Sequence, residues 1–371
     1  MASEVSGEAS GFDFEGMRFG VKAWRAPASG AREGGSLAVP IVLVHGFAQQ
    51  ASTWDDTARL LADAGARCFG FELAGHGAGA CSAGGCSAER PGFFDLRFQA
   101  RALLAFCGAV ARDAGVAPVL VGYSMGGRVA LQAACLVGAG PRDGDPKGGG
   151  KLDRTALRSS AAFAPCGRTG RLDVAGAGQR DADATLAGDA ARAPAAAPFS
   201  ALVLESAGTG PVDDAAREAL RERNFAWAAR VRDEGVSTFM DWWAGLPLFE
   251  SQRILPDEQR ERLRAGRLAN DAESLALSFE RAGAHVMPSR QESVRALCEL
   301  SRRGIPVSYL AGELDAKYCK VLPDLRAEAR GAISCRVVPA AGHNIHLEQP
   351  EAFGAILEEV VESCTPEPAA P

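Results

Sequence analysis

One serine lies at a joint between two segments of different character. Ser124 follows the β-branched run that starts at Val119, and an Ala- and Leu-rich segment of helical type begins at Met125. The order Gly122-Tyr123-Ser124-Met125-Gly126 is the nucleophile-elbow pattern, in which glycines let a strand and a helix approach closely around a strained turn. Such a turn exposes the serine hydroxyl, and the backbone N–H of Met125 then faces a developing oxyanion. A plain Gly/Ser loop before a helix is the alternative.

A reactive serine needs a general base and a group that orients this base. Asp315 comes shortly after one apolar strand pattern, and His343 comes shortly after the next. Both lie where strands end, and open α/β sheets bind their ligands at the C-terminal ends of strands. Glu205, which follows the preceding strand, is a rival for the acid. We predict a triad of Ser124, Asp315 and His343, with Asp315 favoured because Gly312 and the loop position suit an acid that reaches a histidine.

A second backbone donor for an oxyanion is expected at the end of another strand. The apolar run Ile41-Val42-Leu43-Val44 ends in His45-Gly46-Phe47, so the N–H of Phe47 is expected to complete an oxyanion hole with that of Met125. A tight turn is the alternative. The spacing of His343 and His346 resembles that of metal ligands, but no carboxylate or third ligand is arranged with them. We therefore predict no metal.

An arginine close to the serine indicates the charge of the ligand. Arg128 lies four residues after Ser124, which is one helical turn along and on the same face. Helical side chains lean toward the N-terminus, so the guanidinium is aimed back at the serine hydroxyl. A buried arginine in this position suits an anionic small molecule, because guanidinium binds carboxylate in a bidentate manner. A structural salt bridge is the alternative.

Composition argues against several other classes of function. The chain has 371 residues, 47% of them hydrophobic, and a formal net charge of −6. We expect no nucleic-acid partner because no basic run stands out, and no membrane span because no apolar run is long enough. Ten scattered cysteines form no disulfide framework, and the N-terminus shows no signal-peptide pattern. Reduced thiols and a cytoplasmic location are therefore expected. The oligomeric state is left open.

Strand and helix patterns alternate along most of the chain. They predict an α/β fold with a doubly wound, mostly parallel sheet that is interrupted by a helical lid. Single helices are expected over residues 93–114 and 318–330. The predicted segments are a flexible tail (1–11), the first part of the core (12–137), a low-complexity insertion expected to be disordered (138–198), a core strand (199–210), the lid (211–290), the second part of the core (291–363) and a tail (364–371).

Five motifs together carry a family resemblance. They resemble 2-succinyl-6-hydroxy-2,4-cyclohexadiene-1-carboxylate synthases, which are α/β-hydrolase-fold enzymes of menaquinone biosynthesis. The lid segment Phe239-Met240-Asp241-Trp242-Trp243, continued by Pro247-Leu248-Phe249, is also similar to that family. The resemblance covers residues 41–135 and 200–362. The motifs are Val44-His45-Gly46-Phe47, Gly75-His76-Gly77, the segment from Gly122 to Arg128, the segment from Gly312 to Tyr318, and the segment from Ala341 to Pro350.

The resemblance implies a carbon–oxygen lyase that needs no cofactor. In such an enzyme the triad serine acts as a base, a proton leaves the succinyl-bearing cyclohexene substrate, and pyruvate is eliminated. A serine carboxylesterase or another α/β-fold hydrolase is the alternative, since it would use the same triad by acylation. A non-catalytic ligand-binding protein of this fold would normally have lost a triad member, and this chain has all three.

The resemblance also implies a set of substrate-binding residues. Carboxylate-binding arginines fall on Arg128 and Arg267, and the pocket residues of the family fall on Tyr123 and Trp243. The loop residues His45 and Gly46 are expected to line the same pocket. A further arginine of the family, early in the lid, has no clean counterpart. The aligned position is near Leu220, which leaves Arg221 as the candidate beside Arg217.

Overall fold

An eight-stranded sheet forms the centre of the described part of the chain. The computed structural model describes residues 8–25, 37, 39–77, 90–138 and 197–365. Within these ranges the strand order is β1-β2-β4-β3-β5-β6-β7-β8. β1 and β2 form an antiparallel hairpin, β2 pairs antiparallel with β4, and every pairing from β4 to β8 is parallel, which confirms the predicted mostly parallel sheet. The strands are β1 (Glu8–Phe14), β2 (Met17–Trp24), β3 (Ile41–Val44), β4 (Cys68–Phe71), β5 (Val119–Tyr123), β6 (Ala201–Glu205), β7 (Val307–Gly312) and β8 (Ser334–Val338).

Helices cover both faces of the sheet because its central strands are apolar on both sides. Along β3, Ile41 and Leu43 join the core on one face, while Val42 and Val44 join the core on the other, as the two-residue period of a strand requires. The helices in the described ranges are α1 (Asp55–Asp63), α2 (Leu96–Ala114), α3 (Met125–Gly138), α4 (Asp214–Ala244), α5 (Asp257–Leu268), α6 (Ala272–Ala282), α7 (Arg290–Arg302), α8 (Ala316–Cys319), α9 (Val321–Glu328), α10 (Ile345–Glu348) and α11 (Pro350–Cys364).

The crossover from β6 to β7 holds the residues that the sequence assigns to a lid. It contains α4, α5 and α6, together with 3-10 turns at Pro247–Ile254 and Ala284–Val286. α4 is bent at Gly235, whose positive φ of 78° interrupts the helical backbone. The aromatic side chains of this region pack against one another and against Phe47 of the core, through contacts among Trp227, Phe239, Trp242, Trp243, Phe249 and Phe279.

Three boundaries differ from the sequence-based expectation. β1 begins at Glu8, inside the predicted tail of residues 1–11, because its backbone pairs with β2 regardless of the weak side-chain alternation there. The helix expected over 93–114 starts at Leu96, after a 3-10 turn at Pro91–Phe94. The helix expected over 318–330 is divided into α8 and α9, because Pro323 lacks an N–H and its ring crowds the carbonyl four residues earlier.

The predicted insertion of residues 138–198 lies outside the described residues, except for Gly138 at the end of α3 and the last two positions. Residues 1–7 and 366–371 of the predicted tails also lie outside them, whereas α11 continues to Cys364. None of the helices in the described ranges is both long and apolar enough to cross a membrane.

Candidate active site

The turn between β5 and α3 holds Ser124 in a strained conformation. Its φ is 49°, in the left-handed region that residues other than glycine rarely adopt, and such strain is typical of functional sites. The Ser124 N–H donates to the carbonyl of Glu205, 2.9 Å away. A Cβ on Gly122 would lie 2.7 Å from the carbonyl oxygen of Gly126, and one on Gly126 would overlap the carbonyl oxygen of Val44. The glycines therefore allow β5, α3 and the end of β3 to meet at the serine.

The structure brings the three predicted triad residues together. His343 Nε2 lies 3.1 Å from Ser124 Oγ, and His343 Nδ1 lies 2.7 Å from Asp315 Oδ2. An ionised carboxylate only accepts hydrogen bonds, so Nδ1 carries the ring proton and Nε2 is left to accept from the serine hydroxyl. The other oxygen of Asp315 accepts the Tyr318 N–H at 3.1 Å, which fixes the carboxylate. This arrangement can remove a proton through Ser124.

The rival acid Glu205 is bound to a different histidine. His346 Nδ1 lies 2.8 Å and 3.0 Å from the two carboxylate oxygens of Glu205, and both side chains are fully buried. The His346 ring stacks on Trp54, with 3.6 Å between ring centroids. His343 and His346 thus face separate carboxylates. Among the described residues, no cluster of His, Cys, Asp and Glu is arranged to hold a metal ion.

Aromatic rings surround His343 and limit the access of water to it. The ring centroids of Tyr123, Tyr318 and Phe249 lie 5.4 Å, 5.0 Å and 5.7 Å from that of His343. Tyr123 comes from β5, Tyr318 from α8 and Phe249 from the lid turn, so core and lid both enclose the ring. Charge that develops at this site is poorly screened, because the surroundings have a low dielectric constant.

The loop after β3 packs directly against the elbow. A Cβ on Gly46 would lie 2.5 Å from the Tyr123 ring, so only glycine allows this approach. The Phe47 ring lies 5.0 Å from Trp243 and 4.2 Å from Phe279, which fastens the loop to the lid. Met125 is the first residue of α3, where the backbone N–H has no partner within the helix. The oxyanion role of the Phe47 and Met125 N–H groups stays a prediction that this packing favours.

His45 does not line the pocket, contrary to expectation. Its ring is fully buried, Nδ1 lies 2.8 Å from the Gly46 carbonyl oxygen, and Nε2 accepts the Leu73 N–H at 3.0 Å. Both nitrogens are therefore occupied by backbone groups of the loops after β3 and β4. Burial, assisted by the charge of nearby His76, lowers the pKa of His45 to about 3, so the ring is neutral and structural.

The lowered pKa of His45 predicts a pH-dependent stability. Below pH 6.5 the histidine of the unfolded chain binds a proton, whereas the buried ring in the native protein stays neutral until the pH approaches 3. The free energy of unfolding is therefore highest above pH 6.5 and falls as the pH is lowered toward 3. Between pH 7 and pH 5 the free energy of unfolding should fall by about 2 kcal/mol on account of this residue. Urea denaturation of His45→Gln, which keeps an acceptor, should show a correspondingly smaller fall. Equal falls in the two proteins would contradict the assignment.

Arg128, the fourth residue of α3, is half-buried and has one unpartnered guanidinium nitrogen in the described structure. Its Nε is buried and has no hydrogen-bond partner within the described residues. Burial lowers the pKa of Arg128 to about 10; Tyr318 raises it and the positive charge of Arg223 lowers it further. The side chain is therefore charged at neutral pH, and it lies close to a second arginine and to a tyrosine that contacts His343.

Arg267 is a second arginine near the triad, and its side chain is buried. Its Nη2 donates to Gln252 Oε1 at 3.0 Å, and its guanidinium lies 5.3 Å from the centroid of Phe249, which itself contacts His343. Burial lowers the pKa of Arg267 to about 10, and nearby Tyr123 raises it. As in Arg128, the buried Nε lacks a partner in the described part of the chain.

Arg223, rather than Arg221, is the lid arginine that lies near Arg128 and Tyr318. Arg221 is exposed and pairs with Glu218 at 2.8 Å and 3.0 Å. Arg223 lies two residues after Arg221 on α4, which corresponds to a rotation of about 200° around the helix axis. Arg223 therefore occupies the opposite face of the helix. Its guanidinium lies 4.6 Å from the centroid of Trp227, and its buried Nε has no partner among the described residues. Burial lowers the pKa of Arg223. The available sequence signal was the i, i+4 spacing of Arg223 and Trp227.

Trp243 belongs to the aromatic cluster that joins the lid to Phe47 of the core, and its place in a substrate pocket stays a prediction. The side chain is buried, and its ring centroid lies 5.7 Å from that of Phe249. Arg217 is engaged elsewhere, since it donates to the carbonyl of Met287 at 2.9 Å. Aromatic rings therefore surround His343, and three arginines with an unpartnered Nε lie near these rings in the described part of the chain.

Curated relatives match long stretches of this chain. A Shigella flexneri protein named 2-succinyl-6-hydroxy-2,4-cyclohexadiene-1-carboxylate synthase is 27% identical over 329 residues, which cover 88% of this chain and 96% of that protein. A Bacillus subtilis protein, named as a candidate for the same synthase, is 35% identical over 173 residues. This match covers 44% of the chain and 57% of that protein, little more than half of its length.

Solved structures share the fold. The structure of MenH from S. aureus aligns with a TM-score of 0.63 and 20% identity over 93% of this chain and 98% of that chain. A malate-bound esterase from Thermogutta terrifontis aligns with a TM-score of 0.59 and 19% identity over 96% and 100%. The model of the alpha/beta hydrolase family matches residues 41–356, which is most of the sequence. The chain therefore belongs to the α/β-hydrolase family.

Proposed function

We propose that the protein is a carbon–oxygen lyase, a 2-succinyl-6-hydroxy-2,4-cyclohexadiene-1-carboxylate synthase of menaquinone biosynthesis. Its substrate is 2-succinyl-5-enolpyruvyl-6-hydroxy-3-cyclohexene-1-carboxylate, and pyruvate is eliminated. The observation that carries the proposal is the presence of three arginines around the triad, each with a buried and unpartnered Nε within the described residues: Arg128, Arg223 and Arg267. A buried N–H donor without an acceptor is costly, so a ligand that brings anionic acceptor oxygens is expected there.

The charge of the substrate supports this assignment. The succinyl chain, the enolpyruvyl group and the ring each carry one carboxylate, so three anionic groups surround one apolar ring. Guanidinium binds carboxylate in a planar, bidentate manner, and the aromatic wall formed by Tyr123, Trp243 and Phe249 suits the ring. The names of the curated relatives support the same substrate, since those relatives extend over most of this chain.

The names of substrate and product define the reaction. The double bond at C3–C4 is replaced by two, at C2–C3 and C4–C5, and the enolpyruvyl group is lost from C5. The base must therefore remove the C2 proton, which is acidic because the ketone of the succinyl chain is adjacent. The C2–H electrons form the C2–C3 double bond, the former double bond moves to C4–C5, and the C5–O bond breaks. The enolpyruvate that leaves accepts a proton and becomes pyruvate. The overall change is redox-neutral, and the proposal assigns no cofactor.

The triad supplies the proton transfer. Ser124 Oγ removes the C2 proton while it passes its own proton to His343 Nε2, and the imidazolium that forms is stabilised by Asp315. The proton on His343 Nε2 is then transferred to the leaving enolpyruvate, which restores the neutral histidine. Negative charge on the ketone oxygen is received by the N–H groups of Phe47 and Met125. The serine thus acts as a base, and no acyl-enzyme is formed.

A product assay tests the proposal directly. The purified protein is incubated with the cyclohexene substrate, and pyruvate is measured with a coupled lactate dehydrogenase assay. We expect pyruvate and the cyclohexadiene product in equal amounts, and slow turnover of a neutral ester such as p-nitrophenyl acetate. Mass spectrometry of the protein during turnover should show no acyl group on Ser124. Efficient ester cleavage without release of pyruvate would establish a hydrolase instead.

A further inference from the structure

One carboxylate holds the backbone on both sides of His343. Glu348 Oε2 accepts the Gly342 N–H at 2.6 Å, and Glu348 Oε1 accepts the Asn344 N–H at 3.2 Å. Glu348 ends the short helix α10, whose first turn returns its side chain to the loop: the Glu348 N–H donates to the Asn344 carbonyl oxygen at 2.9 Å. The N–H groups of the two residues that flank the histidine are therefore tied to a single side chain.

The lid also reaches this carboxylate. Ser251, from the lid turn at Pro247–Ile254, hydrogen-bonds to Glu348, and a Cβ on Gly342 would overlap the Ser251 hydroxyl. Only glycine at position 342 leaves room for this three-way contact. Burial raises the pKa of Glu348, while the hydrogen bonds from Gly342, Ser251 and Asn344 and the nearby His343 lower it. Both oxygens accept hydrogen bonds, as they do in an ionised carboxylate.

We propose that Glu348 is a positioning residue for His343. By accepting hydrogen bonds from the N–H groups of Gly342 and Asn344, Glu348 holds the loop so that Nε2 of His343 stays at the correct distance from Ser124. The side chain of His343 has only two polar partners of its own in the described structure, Asp315 and Ser124, at opposite ends of the ring. Rotation of its backbone would move both distances together. Displacement of a reacting group by about 1 Å can cost on the order of 100-fold in rate.

The positioning role rests on the proposed action of His343 as the proton acceptor. It would serve elimination and acylation equally, so it does not depend on the identity of the substrate. The groups that face His343 are Asp315, Ser124, Tyr123, Tyr318, Phe249 and the Glu348 carboxylate. Of these, only Glu348 holds the backbone of the histidine loop, which separates its role from that of Asp315.

Two variants and one control test the proposal. In Glu348→Gln the amide NH₂ must face one of the two N–H groups, so half of the clamp is lost. In Glu348→Asp the charge stays but the side chain is one methylene too short to reach both. We expect both variants to lower kcat about 10- to 100-fold with KM changed less than about threefold. Glu351→Gln, on the exposed first turn of α11, should behave as the wild type.

A readout without substrate separates this proposal from the proposed reaction. The proton between His343 Nδ1 and Asp315 should give a low-field NMR resonance, because short charge-assisted hydrogen bonds deshield the proton. We expect the resonance to weaken or disappear in both Glu348 variants and to persist in Glu351→Gln, with thermal unfolding used to confirm that each variant is folded. The proposal is wrong if the resonance and kcat persist in Glu348→Gln, or if Glu348→Asp matches the wild type. It is also wrong if the only effect is a lower Tm.

Discussion

Asp315→Asn is expected to lower turnover by about 10³- to 10⁴-fold while the protein stays folded. The carboxylate accepts the Nδ1 proton of His343 at 2.7 Å and so leaves Nε2 free to accept from Ser124. An asparagine amide can donate to Nδ1 instead, which stabilises the wrong tautomer and places a proton on Nε2. The imidazolium that forms during catalysis would also lose its counter-charge. The measurement is kcat from the pyruvate assay, with thermal unfolding recorded beside it.

Glu205→Gln is the matched comparison, because Glu205 is also a buried carboxylate with a histidine partner. A glutamine amide offers one acceptor oxygen in place of the two that face the N–H and ring of His346, so the substitution should cost about 1–3 kcal/mol of stability. The triad distances do not involve this pair, so kcat of the folded fraction should change little. If Glu205→Gln abolished turnover and Asp315→Asn did not, the catalytic acid would have to be reassigned to Glu205.

The elements around Ser124 were predictable because local sequence rules determine them. The elbow needs glycines at 122 and 126 to avoid overlap between backbones, and the apolar runs of β3 and β5 are typical of strands that are buried on both faces. The order of serine, acid and histidine follows from the way a doubly wound sheet places its loops. Because these features depend on a few neighbouring residues, the local sequence pattern is enough to predict them.

The lid arginine was not predictable at the level of a single residue. Arg221 and Arg223 differ by only two positions, but on a helix this separation places them on opposite faces. The orientation of α4 on the core decides which face meets the site, and that orientation depends on the packing of Trp227 and its aromatic neighbours from distant segments. His45 was misassigned for a related reason. Its partner, the Leu73 N–H, comes from the next strand connection and leaves no local pattern.

The triad alone does not distinguish elimination from ester hydrolysis. Ser124, His343 and Asp315 have a geometry that serves proton abstraction and acylation alike, so changes at these residues disable both reactions. The arginines differ in this respect, because a neutral ester has no carboxylate to bind. Their buried Nε atoms would remain unsatisfied during hydrolysis of such an ester. Substrate selectivity after arginine substitution therefore separates the two functions.

Arg128→Ala and Arg267→Ala are each expected to lower kcat/KM for pyruvate release by roughly 30- to several-thousand-fold. This corresponds to about 2–5 kcal/mol, the cost of leaving a desolvated substrate carboxylate without its guanidinium partner. Arg223→Ala should also lower kcat/KM, since Arg223 lies beside Arg128 and has an unpartnered Nε in the described chain. Lysine should restore little at any of these positions, because an ammonium group cannot make the planar bidentate contact.

Arg221→Ala provides the control for the lid arginine, because it lies on the same helix and is exposed and paired with Glu218. It should leave kcat/KM close to that of the wild type, whereas Arg223→Ala should not. The comparison is made with the cyclohexene substrate and, in parallel, with a neutral ester, whose slow cleavage none of the arginine substitutions should reduce. A protein that cleaves the ester efficiently, releases no pyruvate and tolerates loss of Arg128 and Arg267 would contradict the lyase function. Equal effects of Arg221→Ala and Arg223→Ala would instead contradict the placement of Arg223 at the site.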